Sequence, residues 1–455
     1  MTAPNPTPSE RPPLDGLRVI DLTTFLSGPS ATQLLGDLGA DVIKVESLDG
    51  DSSRAIVGPV LGGESAYFLA SNRNKRSIAI DLKSARGVEL LKRLIGGADV
   101  VLENFRPGVI KRLGIDPETT VSEHPALVWA SISGFGQDGP LRDRPAYDMV
   151  VQALSGVMSL NGHPGTPAAR LGIPAGDVVA GLYAVIGILA ALQARRGTGR
   201  GRIIDVSMLR GQLAMLSYQA VYAYLSGAAP GPQGAAHDSI ATYRSFTCGD
   251  GRELVVTANT PRMWEGLCRV LGVGELTGDE RFADAASRLR NKQELWAILA
   301  ARFAERPAAE WAELLAAVSV PVALVKNVLE ALGDARTAED GSIVVVSNGE
   351  ACFENVATPI RFFDTAGVEP RYPPALGGDT IDILAGELRL SDEEVETLIA
   401  DRVVAAPAPV EPAARPSVSD RPLPTSRRNR PLLTGKRRLR MTAVHNPRSR
   451  RRGSW

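Results

Sequence analysis

The first 135 residues alternate short apolar segments with amphipathic stretches. The apolar segments are rich in Val and Ile, and they cover residues 17–22, 41–46, 77–82, 99–102 and 127–133. The amphipathic stretches have the spacing of helices, and Pro29 stands at a suitable first helical position before one of them. Strands that alternate with helices of this length predict parallel pairing and a doubly wound α/β layer.

Residues 147–227 have a mostly helical pattern, which one strand at 202–206 interrupts. The longest apolar run, residues 178–192, is shorter than the roughly 18 residues that a membrane span needs, and it predicts a buried core helix. The N-terminal segment is polar and rich in Pro, without the apolar stretch of a signal peptide. We therefore expect a cytoplasmic protein with no membrane partner.

The pattern changes again in the second half of the chain. Residues 242–256 predict a β-hairpin, and the Ala- and charge-rich segment around it, 232–332, predicts a smaller α+β domain. A strand at 342–346 and a helix at 391–399 follow. Ser391 precedes acidic residues and is a suitable N-cap for that helix.

Charge is divided unevenly along the 455 residues. Lys and Arg number 51, as do Asp and Glu, so the formal net charge is zero, yet residues 403–455 carry +11 and the preceding chain −11. The basic segment is rich in Pro and Arg, and it predicts a disordered tail because it cannot bury enough apolar surface to offset its ordering entropy. The tail could contact nucleic acid, or it could be an extension with no part in the activity.

Several common site signatures are absent from the sequence. The first strand-to-helix turn has no GxGxxG motif, which argues against a nicotinamide-dependent oxidoreductase. Cys248, Cys268 and Cys352 lie far apart, and no Cys/His cluster has metal-ligand spacing, so no metal site is predicted. The four His residues lie apart from any nucleophile motif, which disfavours a Ser–His–Asp hydrolase.

Asp177 is the first candidate for chemistry, because it directly precedes the apolar helix. The positive end of the helix dipole and the backbone N–H groups there favour an ionised carboxylate. Its neighbours Ala175, Gly176 and Gly181 are small, so we expect room for a ligand to approach. An ionised, accessible carboxylate suits a nucleophile that attacks a carbonyl group. Asp is also a common N-cap with no further role, and the local sequence leaves both interpretations open.

Cations and an aromatic residue lie at the ends of two predicted strands. Lys83 ends one strand, Phe105 and Arg106 follow another, and Arg112 lies on the next helix. Ligands of doubly wound sheets bind at the carboxyl ends of the strands. These side chains could therefore hold the phosphates and adenine ring of a polyanionic ligand, although each could equally be a surface charge or a core residue. The basic segment 72–76 is either a further phosphate site or a solvated loop.

A series of ordered motifs resembles the class III CoA-transferases. The motifs are PLDGLRVIDLTTFLSGPSATQLLGDLGADVIKVE, NRNKRSIAIDLK, ADVVLENFRPGVIKRLGI, SGFGQDGP…RPAYDMVVQALSGV, GDVVAGLYAVIGILAALQARRGTGRGRIIDVSM and PPALGGDTIDIL, and the resemblance covers about residues 13–402. It implies an acyl-CoA:carboxylate CoA-transferase, with no cofactor besides the CoA of its substrate. Asp177 matches the nucleophile of the family, which forms an aspartyl covalent intermediate.

The resemblance also implies a fold and an assembly. A Rossmann-like large domain would be built from both chain ends, 13–210 and 333–402, and the small domain at 232–332 would follow a linker at 211–231. Residues 403–455 would form the basic tail. Family members are interlocked homodimers, so a second copy of this chain is an expected partner besides the acyl-CoA and the carboxylic acid.

The family's CoA contacts carry over to thirteen positions of this chain, which are Leu26, Ser27, Ile80, Asp81, Leu82, Lys83, Asn104, Phe105, Arg106, Arg112, Ala146, Tyr147 and Asp148. The formyl-CoA:oxalate enzyme of the family has Gln where this chain has Leu26, Ala at Ser27, Arg at Ser47 and Lys at Pro145. These departures argue against oxalate and formate as substrates. The GIPAGD sequence around Asp177 suggests a succinyl-like or other short dicarboxylic donor, whose second carboxylate could pair with Arg170.

An α-methylacyl-CoA racemase is the alternative within the same fold. Such racemases use a His in a Gly-His-Asp motif, whereas this chain has Ala146, Tyr147 and Asp148 in the corresponding triplet. Without that His, proton transfer at the α-carbon lacks one of its two bases, which favours the transferase.

Overall fold

The computed structural model describes residues 11–365 and 367–407, and fourteen strands lie within them. The strands are β1 (Arg18–Asp21), β2 (Asp41–Glu46), β3 (Val60–Leu61), β4 (Glu64–Ser65), β5 (Lys75–Ile80), β6 (Val100–Glu103), β7 (Val128–Ser133), β8 (Ile203–Ser207), β9 (Arg244–Thr247), β10 (Glu253–Val256), β11 (Val322–Leu324), β12 (Ile343–Ser347), β13 (Cys352–Val356) and β14 (Val404–Ala405).

Seven strands form one large sheet in the order β14-β5-β2-β1-β6-β7-β8. Six of them run parallel, and β14 at one edge pairs antiparallel with β5. Val19 of β1 lies opposite Val42 of β2 and Val100 of β6, so the pleat places these side chains on one face. The predicted parallel α/β layer is confirmed, and each predicted strand of the sheet begins and ends within two residues of the observed one.

Helices connect the strands within the described residues. They are α1 (Ser27–Asp37), α2 (Ala66–Leu69), α3 (Ala85–Gly96), α4 (Val109–Arg112), α5 (Pro117–Glu123), α6 (Asp148–Leu154), α7 (Val157–Leu160), α8 (Ala175–Thr198), α9 (Met208–Met215), α10 (Tyr218–Ser226), α11 (Pro261–Leu271), α12 (Ala285–Arg290), α13 (Lys292–Phe303), α14 (Ala308–Ala317), α15 (Val328–Ala338), α16 (Thr380–Glu387) and α17 (Asp392–Ala400).

The large sheet is covered by helices on both faces. Ile20 and Ile43 pack on one face with side chains of α3, α16 and α17. Val19 and Val42, one residue away in each strand, pack on the other face with α1 and α8. Burial on both faces is what an all-parallel arrangement requires, and it explains the continuous Val and Ile runs of the strands.

A third core surrounds the β9–β10 hairpin. Its buried residues include Phe246, Trp264, Phe303 and Trp311, and it shares no residue with the two cores of the large sheet. The predicted hairpin is confirmed, because β9 and β10 pair in antiparallel register. The domain boundaries proposed from the sequence remain a prediction.

Two local expectations are wrong. Helix α1 begins at Ser27, so Pro29 is its third residue; the missing N–H is tolerated because N–H groups of a first turn have no helical partner. The basic tail was expected from residue 403, but Val403 and Val404 are buried and β14 belongs to the large sheet. The rest of the predicted tail, from residue 408, lies outside the described residues.

Helix α8, which the apolar run predicted as a buried core helix, is buried on one side only. Val178, Leu182 and Ile186, which follow one another at four-residue intervals, are 39%, 47% and 60% exposed. By length and composition α8 could cross a membrane, a property that core helices of soluble proteins share. The exposed stripe is an apolar surface without a partner in the single chain.

Candidate active site

The carboxyl ends of β1, β2, β5 and β6 meet at one edge of the sheet, and two cavities adjoin there. The Asp177 cavity, of about 410 Å³, lies between the residues that follow β1, β6 and β7 and the start of α8. The Ser47 cavity, of about 640 Å³, lies beside the residues that follow β2 and β5. Thr24 and Phe105 line both cavities. Their position agrees with the binding edge expected of a doubly wound sheet.

Buried ions anchor the loop from β1 to α1, which forms one wall of both cavities. Asp21 accepts a hydrogen bond from the backbone N–H of Thr23 at 2.9 Å and pairs with Lys75 at 3.0 Å. Lys44 donates to the carbonyl oxygen of Thr23 at 2.8 Å and pairs with Asp51 at 2.9 Å. Burial alone would raise the pKa of Asp21, but Lys75 and Lys44 hold it well below its usual range. Four fully buried charged side chains therefore fix the position of this loop.

The same loop contains a backbone conformation that non-glycine residues rarely adopt. Phe25 has a φ angle of 63°, and its N–H donates to Asp51 Oδ1 at 3.2 Å. Asn104, which follows β6, accepts a hydrogen bond from the N–H of Thr24 at 2.9 Å and donates one to its carbonyl oxygen at 2.8 Å. The Asn104 amide, predicted to bind CoA, thus also fixes the loop.

Asp177 is the third residue of α8, and its half-buried carboxyl group lines the cavity. Burial, and then the charge of Asp148, raise the pKa of Asp177 to about 7, and a hydrogen bond from Ser27 partly offsets the shift. In the described part of the chain, no Lys or Arg forms an ion pair with Asp177. A desolvated carboxylate without a counter-charge, half-ionised near neutral pH, is suited to attack a carbonyl carbon.

A buried amide network holds Asp148 against the first turn of α8. Asp148 Oδ1 accepts a hydrogen bond from the N–H of Gly176, and its Oδ2 accepts one from Gln152 Nε2, both at 2.7 Å. Gln152 Oε1 accepts the N–H of Leu171 at 2.9 Å. Gln212 is fully buried, and its Nε2, without a partner among the described residues, lies 3.0 Å from where a Cβ on Gly176 would stand. The network fixes the segment that leads into the helix of Asp177.

Two expectations about Asp177 are wrong. The helix dipole was expected to favour the ionised form, but burial outweighs it and raises the pKa. Space for a ligand was expected beside Gly176 and Gly181. A Cβ on Gly176 would lie 2.9 Å from Asp148 Oδ1, and one on Gly181 would lie 2.7 Å from the carbonyl oxygen of Ser27. These glycines therefore let α8 pack closely against its neighbours and leave no room for a ligand there.

The structure distributes the thirteen predicted CoA-binding residues over several places. Those that line the Asp177 cavity are Ser27, Asn104, Phe105, Arg106, Ala146 and Tyr147. Those that line the Ser47 cavity are Asp81, Leu82, Lys83 and Phe105. Asp148 lies behind Gly176, and Arg112 is exposed at the end of α4. Leu26 and Ile80 line neither cavity, and Ile80 is fully buried in the core.

Among the lining residues of the Asp177 cavity that the sequence did not reveal are two aromatic and two basic side chains, Phe25, Tyr67, Arg142 and Arg144. Burial, and then the charge of Asp177, raise the pKa of the Tyr67 hydroxyl. Tyr67 lies on the short helix α2, and no periodic pattern places that helix beside α8. For these residues the sequence contains one usable signal, which is the pair of arginines before Pro145. Basic residues next to a predicted ligand loop indicate anion binding.

Two other basic candidates for ligand binding, segment 72–76 and Arg170, do not line the Asp177 cavity. In segment 72–76, Arg73 pairs with Asp37 at 2.6 Å, and Arg76 pairs with Asp41 at 2.6 Å. The segment is neither a solvated loop nor a phosphate site, because its cations bind the protein's own carboxylates. Arg170 is exposed and lines neither cavity.

Known proteins share both the sequence and the fold of this chain. The family model described as CoA-transferase family III matches residues 14–380. The chain is 36% identical to the succinyl-CoA:glutarate CoA-transferase of Mus musculus over 395 residues, 86% of this chain and 90% of the relative. It is 40% identical to the acetyl-CoA:oxalate CoA-transferase of Acetobacter aceti over 363 residues, 79% of this chain and 92% of the relative.

A solved structure agrees with these sequence matches. The crystal structure of a CAIB/BAIF family protein from Brucella suis superposes with a TM-score of 0.75 at 36% identity, covering 83% of this chain and all of that one. The mixed α/β fold with its large parallel sheet therefore follows an architecture already seen in a related protein.

Proposed function

The chain belongs to CoA-transferase family III, and we propose that it moves CoA from an acyl-CoA to a carboxylic acid through a covalent intermediate on Asp177. Transfer of CoA between an acyl-CoA and a carboxylate follows from the family and from relatives named as CoA-transferases. One observation carries the covalent step: Asp177 lines the cavity as a carboxyl group without a cationic partner in the described residues, with a pKa of about 7.

The proposed reaction conserves the energy of the thioester in four exchanges. The Asp177 carboxylate attacks the thioester carbonyl, which gives a mixed anhydride and CoA thiolate. The thiolate attacks the aspartyl carbonyl, which gives an aspartyl-CoA thioester and releases the donor acid. The acceptor carboxylate attacks this thioester, and the thiolate that leaves then attacks the acceptor acyl group, which restores Asp177. Each step exchanges one acyl bond for another, so no nucleoside triphosphate is consumed.

The two adjoining cavities suit the two ends of an acyl-CoA. We place the thioester beside Asp177 and the adenosine end in the larger Ser47 cavity, beside Lys83. Phe105 lines both cavities, so its ring is positioned to contact the chain that joins the two ends. No cofactor besides CoA has a role in this scheme.

A dicarboxylic substrate is the preferred class. The relatives' names contain succinyl, glutarate and oxalate, all of them dicarboxylic acids or their acyl groups. Arg144 lines the Asp177 cavity, and a guanidinium group pairs well with a carboxylate. The expectation against oxalate, which Leu26, Ser47 and Pro145 motivate, remains a prediction.

A racemase is not favoured. The relatives described above are named as transferases, and no His lines the Asp177 cavity in the described part of the chain. A racemase would exchange the α-proton of a 2-methylacyl-CoA with deuterium in ²H₂O, whereas the proposed transferase leaves that proton in place.

We further propose an interlocked homodimer in the cytoplasm. Besides the exposed apolar stripe on α8, Tyr224 and Leu225 on α10 are 88% and 83% exposed. Apolar surface of this extent is normally covered in solution, and a second copy of the chain would cover it.

Trapping of the intermediate tests the mechanism. The full chain is incubated with succinyl-CoA, and with acetyl-CoA and glutaryl-CoA in parallel, then treated with hydroxylamine and digested for mass spectrometry. A hydroxamate on Asp177 is the expected product. A hydroxamate on another residue, or none with any donor that supports transfer, contradicts the covalent step.

A further inference from the structure

The Ser47 cavity can hold the adenosine of CoA, but its lining offers little positive charge for the diphosphate. Its lining contains five carboxylates and two cations, which are Glu46, Asp49, Asp51, Asp81 and Asp401 against Lys83 and Arg402. Glu46 pairs with Arg54 at 2.7 Å, Asp51 with Lys44 at 2.9 Å and Asp401 with Arg86 at 2.5 Å, which leaves two acids against two cations and no excess of positive charge. The phosphate groups of a bound CoA therefore need cations from elsewhere.

The Asp177 cavity, by contrast, carries an excess of positive charge at its mouth. Arg106, Arg142 and Arg144 line it, and Asp177 is the one acidic residue of its lining. Arg106 and Arg144 have no ion pair within the described residues, and the one ion pair of Arg142 is a 4.0 Å contact with Asp143, whose side chain is 85% exposed. A contact of that length at that exposure contributes little binding energy, so the guanidinium group is available.

Arg142 converges with Arg112 over Gly108. Arg112 Nη1 lies 3.4 Å, and Arg142 Nη2 lies 3.7 Å, from the point where a Cβ on Gly108 would stand, so the two nitrogens are within about 7 Å of each other. In the described part of the chain, Arg112 has no ion pair. Two like charges that approach without a carboxylate between them are unfavourable unless an anion occupies the gap.

We propose that Arg112 and Arg142 form a clamp that binds one phosphate group of the CoA diphosphate at the mouth of the Asp177 cavity. The inference rests on the proposed function, and it assigns Arg142 to the diphosphate although Arg142 is not among the thirteen CoA contacts that the resemblance implies. Planar guanidinium groups donate paired hydrogen bonds to phosphate oxygens, and two of them offset its charge. Gly108 has a φ angle of 80° and no side chain, which leaves the gap open.

Binding of CoA and of pantetheine, measured by calorimetry on the full chain, tests the clamp. Pantetheine has the thiol arm without the nucleotide, so it reports on the remainder of the site. Arg142→Met is expected to weaken CoA binding about tenfold, the loss typical of a charged hydrogen bond, and to leave pantetheine binding unchanged. Arg142→Lys should recover part of the affinity, because it restores the charge but not the paired geometry. Arg262→Met, which removes an exposed arginine of α11 outside both cavities, is the matched control.

The outcomes separate the clamp from the transfer reaction. Equal CoA affinity in wild type and Arg142→Met, or an equal loss for CoA and pantetheine, overturns the clamp while transfer by the wild type stands. If Arg142→Met changes only the Michaelis constant for the carboxylic acid substrate, Arg142 binds the carboxylate of that acid. This result would also overturn the clamp. If the wild type binds CoA through Arg142 but transfers none, the clamp stands and the proposed function fails.

Discussion

Asp148 Oδ1 accepts a 2.7 Å hydrogen bond from the N–H of Gly176, the residue that directly precedes Asp177. The contact brings a second carboxylate next to the proposed nucleophile, and its charge contributes to the raised pKa of Asp177. One residue thus both fixes the start of α8 and disfavours ionisation of the group that must attack. The balance between these effects can be measured.

Asp177→Asn is expected to lower transfer by at least about a thousandfold, because the amide cannot form the covalent intermediate. Asp382→Asn is the matched control: Asp382 is the third residue of α16, as Asp177 is of α8, but it is exposed. Steady-state rates with succinyl-CoA and glutarate give the comparison. Substantial activity in Asp177→Asn would assign the nucleophile to another group.

Asp148→Asn is expected to move the acidic limb of the pH profile to lower pH. Asp177 attacks as a carboxylate, so kcat/KM of the wild type should rise with pH through about 7, the pKa of Asp177. Removing the neighbouring charge lowers that pKa, while burial, the larger cause, keeps it above the usual value for Asp. The Asn oxygen still accepts the Gly176 N–H. An acidic limb that stays in place, or moves to higher pH, contradicts the assigned repulsion.

Gln152→Leu is expected to lower kcat about tenfold or more and to change KM for the acyl-CoA little. The substitution keeps the size of the side chain but removes the hydrogen bonds to Asp148 and Leu171, each worth about 1 kcal/mol or more. Gln193→Leu, on the exposed side of α8, is the control. A proportional rise in KM without loss of kcat would show that Gln152 supports binding and not the nucleophile.

Ile186→Asp is expected to disrupt the homodimer. Ile186 is 60% exposed in the single chain and is the most exposed residue of the apolar stripe on α8, where a charge that becomes buried without a partner is costly. Light scattering after gel filtration gives the mass. Glu396, exposed on α17, provides a control through Glu396→Lys, which should leave the mass unchanged. A wild-type chain that is monomeric at micromolar concentration refutes the assembly.

Two truncations should differ in activity although their ends are five residues apart. A chain that ends at Pro407 is expected to keep transfer activity, because all residues of both cavities remain. A chain that ends at Arg402 loses β14 and the hydrogen bond from the N–H of Asp81 to the carbonyl oxygen of Val403 at 2.8 Å. We expect this shorter chain to have lower thermal stability and weaker CoA binding than the chain that ends at Pro407, because Asp81 lines the Ser47 cavity. Equal stability of both chains would show that β14 contributes nothing.

The sheet and its binding edge could be predicted from the sequence. Val and Ile runs such as that of β2 report burial on both faces, and alternation with helices sets the parallel order. Asp177 was found from its place before α8 and from the family resemblance. Tyr67 and Gln212 could not be found, because each comes from a segment whose position beside α8 depends on packing across the chain.

The sequence by itself determined the class of fold, the end of the sheet where ligands bind and the candidate nucleophile, because these depend on local periodicity and on motifs. Tertiary structure alone decided the electrostatic state of that nucleophile. Asp148 is 29 residues from Asp177 along the chain, and burial is a property of the whole fold, so neither cause of the raised pKa is visible in local spacing. For the same reason, only the structure shows that Arg73 binds a carboxylate of the protein and that Arg142 approaches Arg112.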